Sequence, residues 1–305
     1  MMNACAAPAF IDDQGIEWAQ VQRARLCFHQ RFQYDYPGPI RALQQRLVVI
    51  PAARYGAQRL CSHRLTATPA PYASRSTTDA FGNHVVEVEV TEAGASVAFE
   101  VVMTIEHDAR RHGDAWCTAD AARRFLAPTR LTAPDASITH MARLLRAQAH
   151  DPADLARCVH GWVAHTMRYA AGVTTVQTTA AEALALRRGM CQDYAHVMIA
   201  LCRAAGLAAR YVSGHLLGEG GSHAWVEVLL PHGDGYCAQA YDPTNGRRRH
   251  LGYTTVAVGR DYGDVSPVSG VYTAPYKGQL SCSKQAGITF LAFANGETVG
   301  HDLAC

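Results

Sequence analysis

Residues 191–205 read Cys-Gln-Asp-Tyr-Ala-His-Val-Met-Ile-Ala-Leu-Cys-Arg-Ala-Ala and are followed by Gly206. This segment is apolar on most sides, a pattern typical of a helix buried at the centre of a domain and ended by glycine. The pattern predicts a helix that begins at Met190 and Cys191. Helix N-termini favour negative charge, and the thiolate is the reactive form of cysteine. Cys191 is therefore a candidate nucleophile.

A shorter helix is predicted just upstream. Thr-Thr-Ala-Ala-Glu-Ala-Leu-Ala-Leu (178–186) has Thr179 at its start and Glu182 three residues on, the spacing of a capping box. Gly189 follows and is predicted to close this helix as a left-handed cap. The two helices together would fix the position of Cys191.

A β-hairpin is predicted farther along the chain. Ser-His-Ala-Trp-Val-Glu-Val-Leu-Leu (222–230) alternates with the period of a strand, and Pro-His-Gly-Asp-Gly (231–235) reads as a turn. A return strand over Tyr236–Asp242 would pair position 223 with 242 or 243. Opposed residues have Cβ atoms about 4.5–5.5 Å apart. We therefore expect His223 and Asp242 to be neighbours.

This neighbourhood suits thiol catalysis. A carboxylate could hold one imidazole nitrogen of His223 while the other nitrogen faces the sulfur of Cys191. A slip of one residue in the hairpin register would send one of the two side chains to the opposite face. The placement of His223 beside Asp242 is thus a test of the predicted site.

Four motifs resemble the core of the bacterial transglutaminase-like cysteine peptidases, and they occur in the same order. They are Gly-Met-Cys-Gln-Asp-Tyr-Ala-His (189–196), Ala-Arg-Tyr-Val-Ser-Gly-His (209–215), Ser-His-Ala-Trp-Val-Glu-Val (222–228) and Ala-Tyr-Asp-Pro-Thr-Asn-Gly (240–246). Residues 256–272 are similar to the segment after that core, and Asp-Ala-Phe-Gly-Asn-His-Val (79–85) is similar to the family's N-terminal region. The resemblance covers about residues 22 to 285.

The resemblance implies an α+β fold with a papain-like core, in which a cysteine helix packs on an antiparallel sheet. An N-terminal all-β, sandwich-like domain would precede it. The implied roles are nucleophile for Cys191, general base and acid for His223, and orienting residue for Asp242. One oxyanion donor would be the backbone N–H of Cys191, and Tyr169, Gln177 and Gln192 are candidates for the second.

The implied chemistry is attack of a thiolate on an amide or ester carbonyl to give an acyl-enzyme. Water would complete hydrolysis, the favoured outcome, whereas an amine would complete transamidation as in a protein-glutamine transglutaminase. A non-catalytic peptide-binding module with the same fold is a further alternative. The substrate could be a peptide, a protein or a small amide. No cofactor or metal is implied.

Composition restricts the other function classes. The chain has 305 residues, 49% of them hydrophobic and 18% charged, which is enough for a globular protein of two domains. The formal net charge is +2 with no long basic run, so nucleic-acid binding has no support. No apolar stretch approaches the ~20 residues that span a bilayer, and the first residues lack a basic segment. We expect a cytoplasmic protein that does not bind membranes; oligomeric state stays open.

Ten cysteines raise the alternatives of a metal site and a disulfide framework. No two are closer than 11 residues and no C-x-x-C occurs, which argues against a zinc knuckle. Without a secretory signal, reduced thiols are expected, with Cys202 as a small core residue. His196 lies about 140° round the helix from Cys191 and is expected in the core, as is Trp225. Arg247-Arg248-Arg249-His250 is expected to be a solvated loop.

Strand-like alternation from residue 22 and turn signals around Pro128 and Pro134 suggest the following division. The predicted units are an N-terminal β domain (22–125), a linker (126–137), the catalytic core (138–285) and a C-terminal extension (286–305). The N-terminal domain could bound the cleft, recruit a partner or cover a face of the core.

Overall fold

The computed structural model describes residues 10–110, 115–248 and 250–300. The chain begins with strands, continues through helices into a second group of strands, and ends with three more strands. The elements are β1 (Val21–Asp35), β2 (Ile40–Leu47), β3 (Arg54–Tyr55), β4 (Gln58–Thr68), β5 (Ala73–Thr78), β6 (His84–Ala93), β7 (Ser96–Asp108), β8 (Trp116–Cys117), α1 (Ala119–Arg123), α2 (Ala136–Gln148), α3 (Pro152–Thr166), β9 (Arg168–Tyr169), α4 (Ala180–Leu186), β10 (Arg188–Gly189), α5 (Cys191–Ala204), β11 (Ala209–Leu216), β12 (His223–His232), β13 (Gly235–Asp242), β14 (Arg247–Arg248), β15 (Tyr253–Gly259), α6 (Tyr262–Val265), β16 (Val268–Thr273), β17 (Gln279–Phe293) and β18 (Thr298–Gly300).

The N-terminal part is a sandwich of two sheets. One sheet has the order β18-β17-β1-β7-β4-β3 and the other has the order β16-β2-β6-β5. Alternate residues of β6, such as Val86, Val88 and Val90, are buried and share a core with Phe99 and Val101 of β7. This period of two places one face of each strand between the sheets. The expected sandwich-like domain is confirmed.

The C-terminal strands return to this sandwich. β17 pairs with β1 from Gln279 opposite Asp35 to Phe293 opposite Val21, and β16 pairs with β2. Residues 268–273 and 279–285 therefore lie in the sheets of the N-terminal sandwich rather than in the predicted core. Residues 286–293 continue the same strand as 279–285 rather than start an extension. The first half of β17 is polar and exposed on both faces, so its pattern carried little strand signal.

The predicted linker also differs from a flexible tether. Leu131 and Thr132 are buried, and the guanidinium of Arg203 donates to the carbonyl oxygen of Phe125 at 2.9 Å and to Oγ1 of Thr132 at 2.7 Å. Just before it, β8 pairs with β13. Residues 116–132 are thus packed on the core sheet.

The core is a sheet of order β14-β13-β12-β11-β15 with α5 packed across β11 and β12. Helices α2, α3 and α4 surround α5, which is why every residue from Asp193 to Arg203 is buried. The structure has the α+β architecture that was expected, with a cysteine helix packed on an antiparallel sheet.

The capping box that opens α4 forms as predicted. Thr179 Oγ1 accepts from the Glu182 N–H at 3.3 Å, and the Glu182 carboxylate accepts from the Thr179 N–H at 2.8 Å. The left-handed cap is Arg187 (φ 51°) rather than Gly189. Gly189 is needed for a different reason, because an added Cβ would lie 2.6 Å from the Cβ of Asp193.

The sandwich covers the free edge of the core sheet. The side chain of Gln58 makes two hydrogen bonds of 2.8 Å with the backbone of Thr255, and Asn83 makes two, at 2.7 and 2.8 Å, with the backbone of Val258. Both backbone partners lie in β15, the edge strand, whose unpaired groups would otherwise need water. The N-terminal sandwich therefore covers this edge of the core sheet.

Candidate active site

Cys191 is the first residue of α5 and is partly exposed. A buried carboxylate holds the start of this helix: Oδ2 of Asp193 accepts from the Met190 N–H and from Oγ1 of Thr174, both at 2.7 Å. Burial raises the pKa of Asp193, while these hydrogen bonds oppose the rise. The same acid therefore fixes the helix start and the loop beside it, and with them the position of the sulfur.

His223 and Asp242 are brought together as predicted: Nε2 of His223 lies 2.8 Å from Oδ2 of Asp242. The predicted register, with position 223 opposite 242 or 243, is wrong. The ladder ends with Val226 opposite Tyr241, and continuing it would place Asp242 opposite Trp225. His223 and Asp242 are therefore diagonal neighbours on one face, a relation within reach of an imidazole.

Five hydrogen bonds converge on the carboxylate of Asp242. Besides His223, Oδ2 accepts from the Tyr253 hydroxyl at 2.6 Å and from Nδ2 of Asn245 at 2.8 Å, and Oδ1 accepts from the N–H groups of Thr244 and Asn245. Burial alone would raise the pKa of Asp242, but these donors hold it at about 2. Asp242 is thus a fixed, ionised partner for the imidazole.

The imidazole of His223 is buried, which by itself would lower its pKa. Hydrogen bonds to Asp242, Cys191 and Glu219 outweigh this effect and raise the pKa of His223 to about 11. At neutral pH the ring is therefore an imidazolium beside the sulfur of Cys191.

Trp225 supports His223 from within the core. Its indole is fully buried, lies nearly parallel to the imidazole at a centroid distance of 6.1 Å, and packs edge-on against Tyr253 at 5.4 Å. Tyr55 and Phe81 of the N-terminal sandwich pack against the same cluster. The sandwich therefore backs the residues that hold the imidazole.

Gly214 leaves the space that this indole occupies. An added Cβ would lie 2.1 Å from the carbonyl oxygen of Thr254 and 2.5 Å from Cη2 of Trp225. We expect Gly214→Ala to lower the free energy of unfolding by roughly 1–3 kcal/mol, because neither the backbone nor the fixed indole can move freely. Urea denaturation measures this loss. Gly220→Ala is the control, since its Cβ would meet nothing within 4 Å, and equal stability of the two variants would contradict the packing argument.

Glu219 is a site residue that the sequence reasoning missed. Its Oε2 lies 3.1 Å from Nδ1 of His223, the nitrogen that Asp242 does not hold. Its side chain is 39% exposed and belongs to the loop before β12. The available signal was an acid four residues before the histidine, between Gly218 and Gly220.

The three candidates for the second oxyanion donor differ in their surroundings. The side-chain amide of Gln192 donates to the carbonyl of Val176 at 3.3 Å, and Arg130 donates to the side-chain oxygen of Gln177. Tyr169 is 59% exposed, and its pKa is raised by partial burial and then by the negative charges of Cys191 and Glu219. Tyr169 also pairs with Gly189 between β9 and β10, two residues before Cys191.

The remaining histidine and arginine predictions have clear outcomes. His196 is buried and accepts from the Tyr262 N–H at 3.2 Å, so it is a core residue as expected. Arg247 and Arg248 are exposed but form the short strand β14, and Arg247 donates to the Tyr253 hydroxyl at 2.9 Å. Arg249 lies outside the described residues.

The cysteines divide by environment. Cys202 is fully buried, and burial raises its pKa to about 12, in agreement with its expected role as a small core residue. Burial also raises the pKa of Cys117 and of Cys282. Cys61 is disulfide-bonded, which departs from the expectation of reduced thiols. No helix among the described residues is long and apolar enough to cross a membrane.

Comparison with known proteins gives this arrangement a family. Residues 139–243 match the transglutaminase-like superfamily, and residues 26–106 match the bacterial transglutaminase-like N-terminal region. The chain belongs to the transglutaminase-like superfamily and carries the bacterial N-terminal region of that family. This membership supports thiol-dependent acyl transfer as the general chemistry of the fold.

Similar proteins occur in mycobacteria. An uncharacterized protein of Mycobacterium tuberculosis is 34% identical over 242 residues, which cover 70% of this chain and 77% of that protein. An uncharacterized protein of Mycobacterium leprae is 34% identical over 158 residues, and the chain spans only about half (54%) of its length. The crystal structure of a candidate cysteine protease from Cytophaga hutchinsonii has a TM-score of 0.68 at 22% identity and covers 87% of this chain and 92% of its own. That likeness shows the shared fold.

Proposed function

We propose that the protein is a cysteine peptidase or amidase that hydrolyses an amide bond through Cys191, His223 and Asp242. The observation that carries the proposal is one imidazole that bonds to a buried carboxylate through Nε2 and is linked by a hydrogen bond to the first residue of a buried helix. A structural role alone would not require an ionised carboxylate, a cationic imidazole and a partly exposed thiol in one place.

The proposed reaction begins with attack of the Cys191 thiolate on the amide carbon, which moves the carbonyl electrons onto oxygen. The tetrahedral intermediate then collapses, the C–N bond breaks, and Nδ1–H of His223 gives its proton to the leaving nitrogen. The amine departs and a thioester remains on Cys191. The neutral imidazole next takes a proton from water, the hydroxide adds to the thioester, and the C–S bond breaks to restore thiolate and imidazolium.

We propose two donors for the oxyanion. The backbone N–H of Cys191 lies in the first turn of α5, where helix N–H groups lack intrahelical acceptors. We assign the second donor to the hydroxyl of Tyr169, because Tyr169 pairs with Gly189, two residues before Cys191, and its raised pKa keeps the hydroxyl protonated. Preorganised donors of this kind stabilise developing charge more than they stabilise a neutral carbonyl.

Hydrolysis rather than transamidation is proposed because the site is open to solvent. Cys191 is partly exposed, and Tyr169 and Glu219 beside it are 59% and 39% exposed. Transamidation requires that water be kept from the thioester. We propose that a peptide, protein or small amide is the substrate and that the protein acts in the cytoplasm.

The test is incubation with a library of peptides and amides, with and without a primary amine, followed by intact-mass analysis of the protein and its products. The expected result is an acyl adduct on Cys191 that resolves to a free carboxylic acid. Products that carry the added amine would assign transamidation instead. If folded protein forms no adduct and no product from any amide, the proposed activity is refuted.

A further inference from the structure

Both nitrogens of the His223 ring face carboxylates. Asp242 holds Nε2 at 2.8 Å, and Glu219 lies 3.1 Å from Nδ1. In the proposed mechanism Nδ1 of His223 faces the sulfur and then protonates the leaving nitrogen. Glu219 therefore lies on the side of the ring where proton transfer occurs. Asp242 is 1% exposed and fully hydrogen-bonded, whereas solvent reaches Glu219. Glu219 is therefore the carboxylate that a substrate can touch.

The loop that carries Glu219 has room to adjust. Its start is fixed by hydrogen bonds from the Leu217 N–H to Gly252 and from the Glu219 N–H to Leu216. Beyond Glu219, a Cβ added at Gly220 or Gly221 would meet nothing within 4 Å. A cavity of about 160 Å³ is lined by these glycines and by Lys284. The chain just after Glu219 is thus loosely packed, while the base of the loop is held by hydrogen bonds.

Charges near Glu219 define what it can bind. Lys284 donates to the carbonyl of Gly221, and its charge interacts with that of Glu219. Burial lowers the pKa of Lys284 to about 8, so this partner is weakly cationic under mildly alkaline conditions. The other neighbours are the imidazolium of His223 and the hydroxyl of Tyr169. Because 39% of the Glu219 side chain is exposed, a cation of the substrate can reach the carboxylate and take the place that the imidazolium of His223 holds.

We propose that Glu219 is a specificity-determining residue that binds a cationic group on the leaving-group side of the substrate. This inference rests on the proposed function. The carboxylate would leave Nδ1 of His223 for the cation, and Nδ1–H would then be free to protonate the departing nitrogen. The preferred substrates are amides in which the leaving amine has a separate, positively charged group close to the scissile bond.

The test uses methanethiosulfonate reagents with neutral (methyl), cationic (2-aminoethyl) and anionic (2-sulfonatoethyl) groups on the full-length protein. The Cys191 thiolate attacks the reagent's sulfur that carries the variable group, a disulfide to that group forms, and methanesulfinate leaves. Amide turnover is therefore not needed. We expect the cationic reagent to react faster than the anionic one at low salt. Glu219→Gln should lower this ratio by at least about fivefold, because it removes one unit charge a few Å from the bound reagent. Glu219→Lys should invert the ratio.

Asp234→Asn is the matched control, because it removes one negative charge from the exposed turn at the opposite end of the β12–β13 hairpin. An equal change of the ratio in this control would overturn the proposal. An unchanged ratio of the two rates in Glu219→Gln would also overturn the proposal. This holds even if the substitution lowers thermal stability, because Glu219 would then only anchor Lys284. If Cys191 reacts with none of the reagents in folded protein, the proposed function fails rather than the role of Glu219.

Discussion

Replacing Cys191 by alanine is expected to abolish amide turnover, with a loss on the order of 10⁶ in kcat by analogy with other catalytic nucleophiles. Among the described residues, burial disfavours the thiolate at three other cysteines. Cys202 is fully buried with a pKa raised to about 12, and burial also raises the pKa of Cys117 and Cys282. The measurement is steady-state kinetics with whichever amide forms the acyl adduct, alongside intact mass to show that the adduct is lost.

The same substitution should remove selective labelling. In the parent protein, limited iodoacetamide at pH 6 should modify Cys191 before the other thiols, because its sulfur is partly exposed and lies beside the imidazolium of His223. His223→Ala should slow this labelling. Cys158→Ala is the control, since Cys158 is a free, partly buried thiol on α3. Preferential labelling of Cys282, or full activity of folded Cys191→Ala, would contradict the assignment of the nucleophile.

The sequence was sufficient to predict the elements that carry the site. The apolar pattern after Cys191 predicted α5, and the alternation from His223 predicted β12, because burial imposes these two periods on any sequence. Their meeting in space was also predicted, but for a partly wrong reason. The observed register differs from the predicted one by one or two residues, and the contact survives because Asp242 reaches His223 along a diagonal.

Contacts between residues far apart in the chain were harder to predict from the sequence. The pairing of β17 with β1 joins residues about 250 positions apart, and nothing in the polar half of β17 specifies that edge. The dependence of the site on the N-terminal sandwich, through Tyr55 and Phe81 behind Trp225, is likewise a consequence of tertiary packing. Glu219 was missed because a glycine-rich loop has no period from which the direction of a side chain can be read.

The second large effect is expected at Asp242. Asp242→Asn keeps the shape of the side chain but removes the charge that stabilises the imidazolium of His223. The new amide group can also donate a hydrogen bond to Nε2, which favours the wrong tautomer of the neutral ring. We expect kcat to fall by about 10²–10⁴, with the fold retained. Asp242→Asn combined with Cys191→Ala should be no worse than Cys191→Ala alone, because residues that act as one unit are not additive. Circular dichroism and thermal melting establish folding before kinetics are compared.

The pH dependence separates the role of Asp242 in charge from a role in packing. In the parent protein the pKa of His223 is about 11, so the imidazolium needed to protonate the leaving nitrogen persists above pH 9. Without the charge of Asp242, burial lowers the pKa of the ring. As the pH rises, the imidazolium is then deprotonated at a lower pH than in the parent protein. The alkaline limb of kcat/KM should therefore move towards neutrality in Asp242→Asn. A lower rate with an unmoved limb would mean that Asp242 holds the ring in place without setting its charge, and near-normal turnover would remove Asp242 from the catalytic unit altogether.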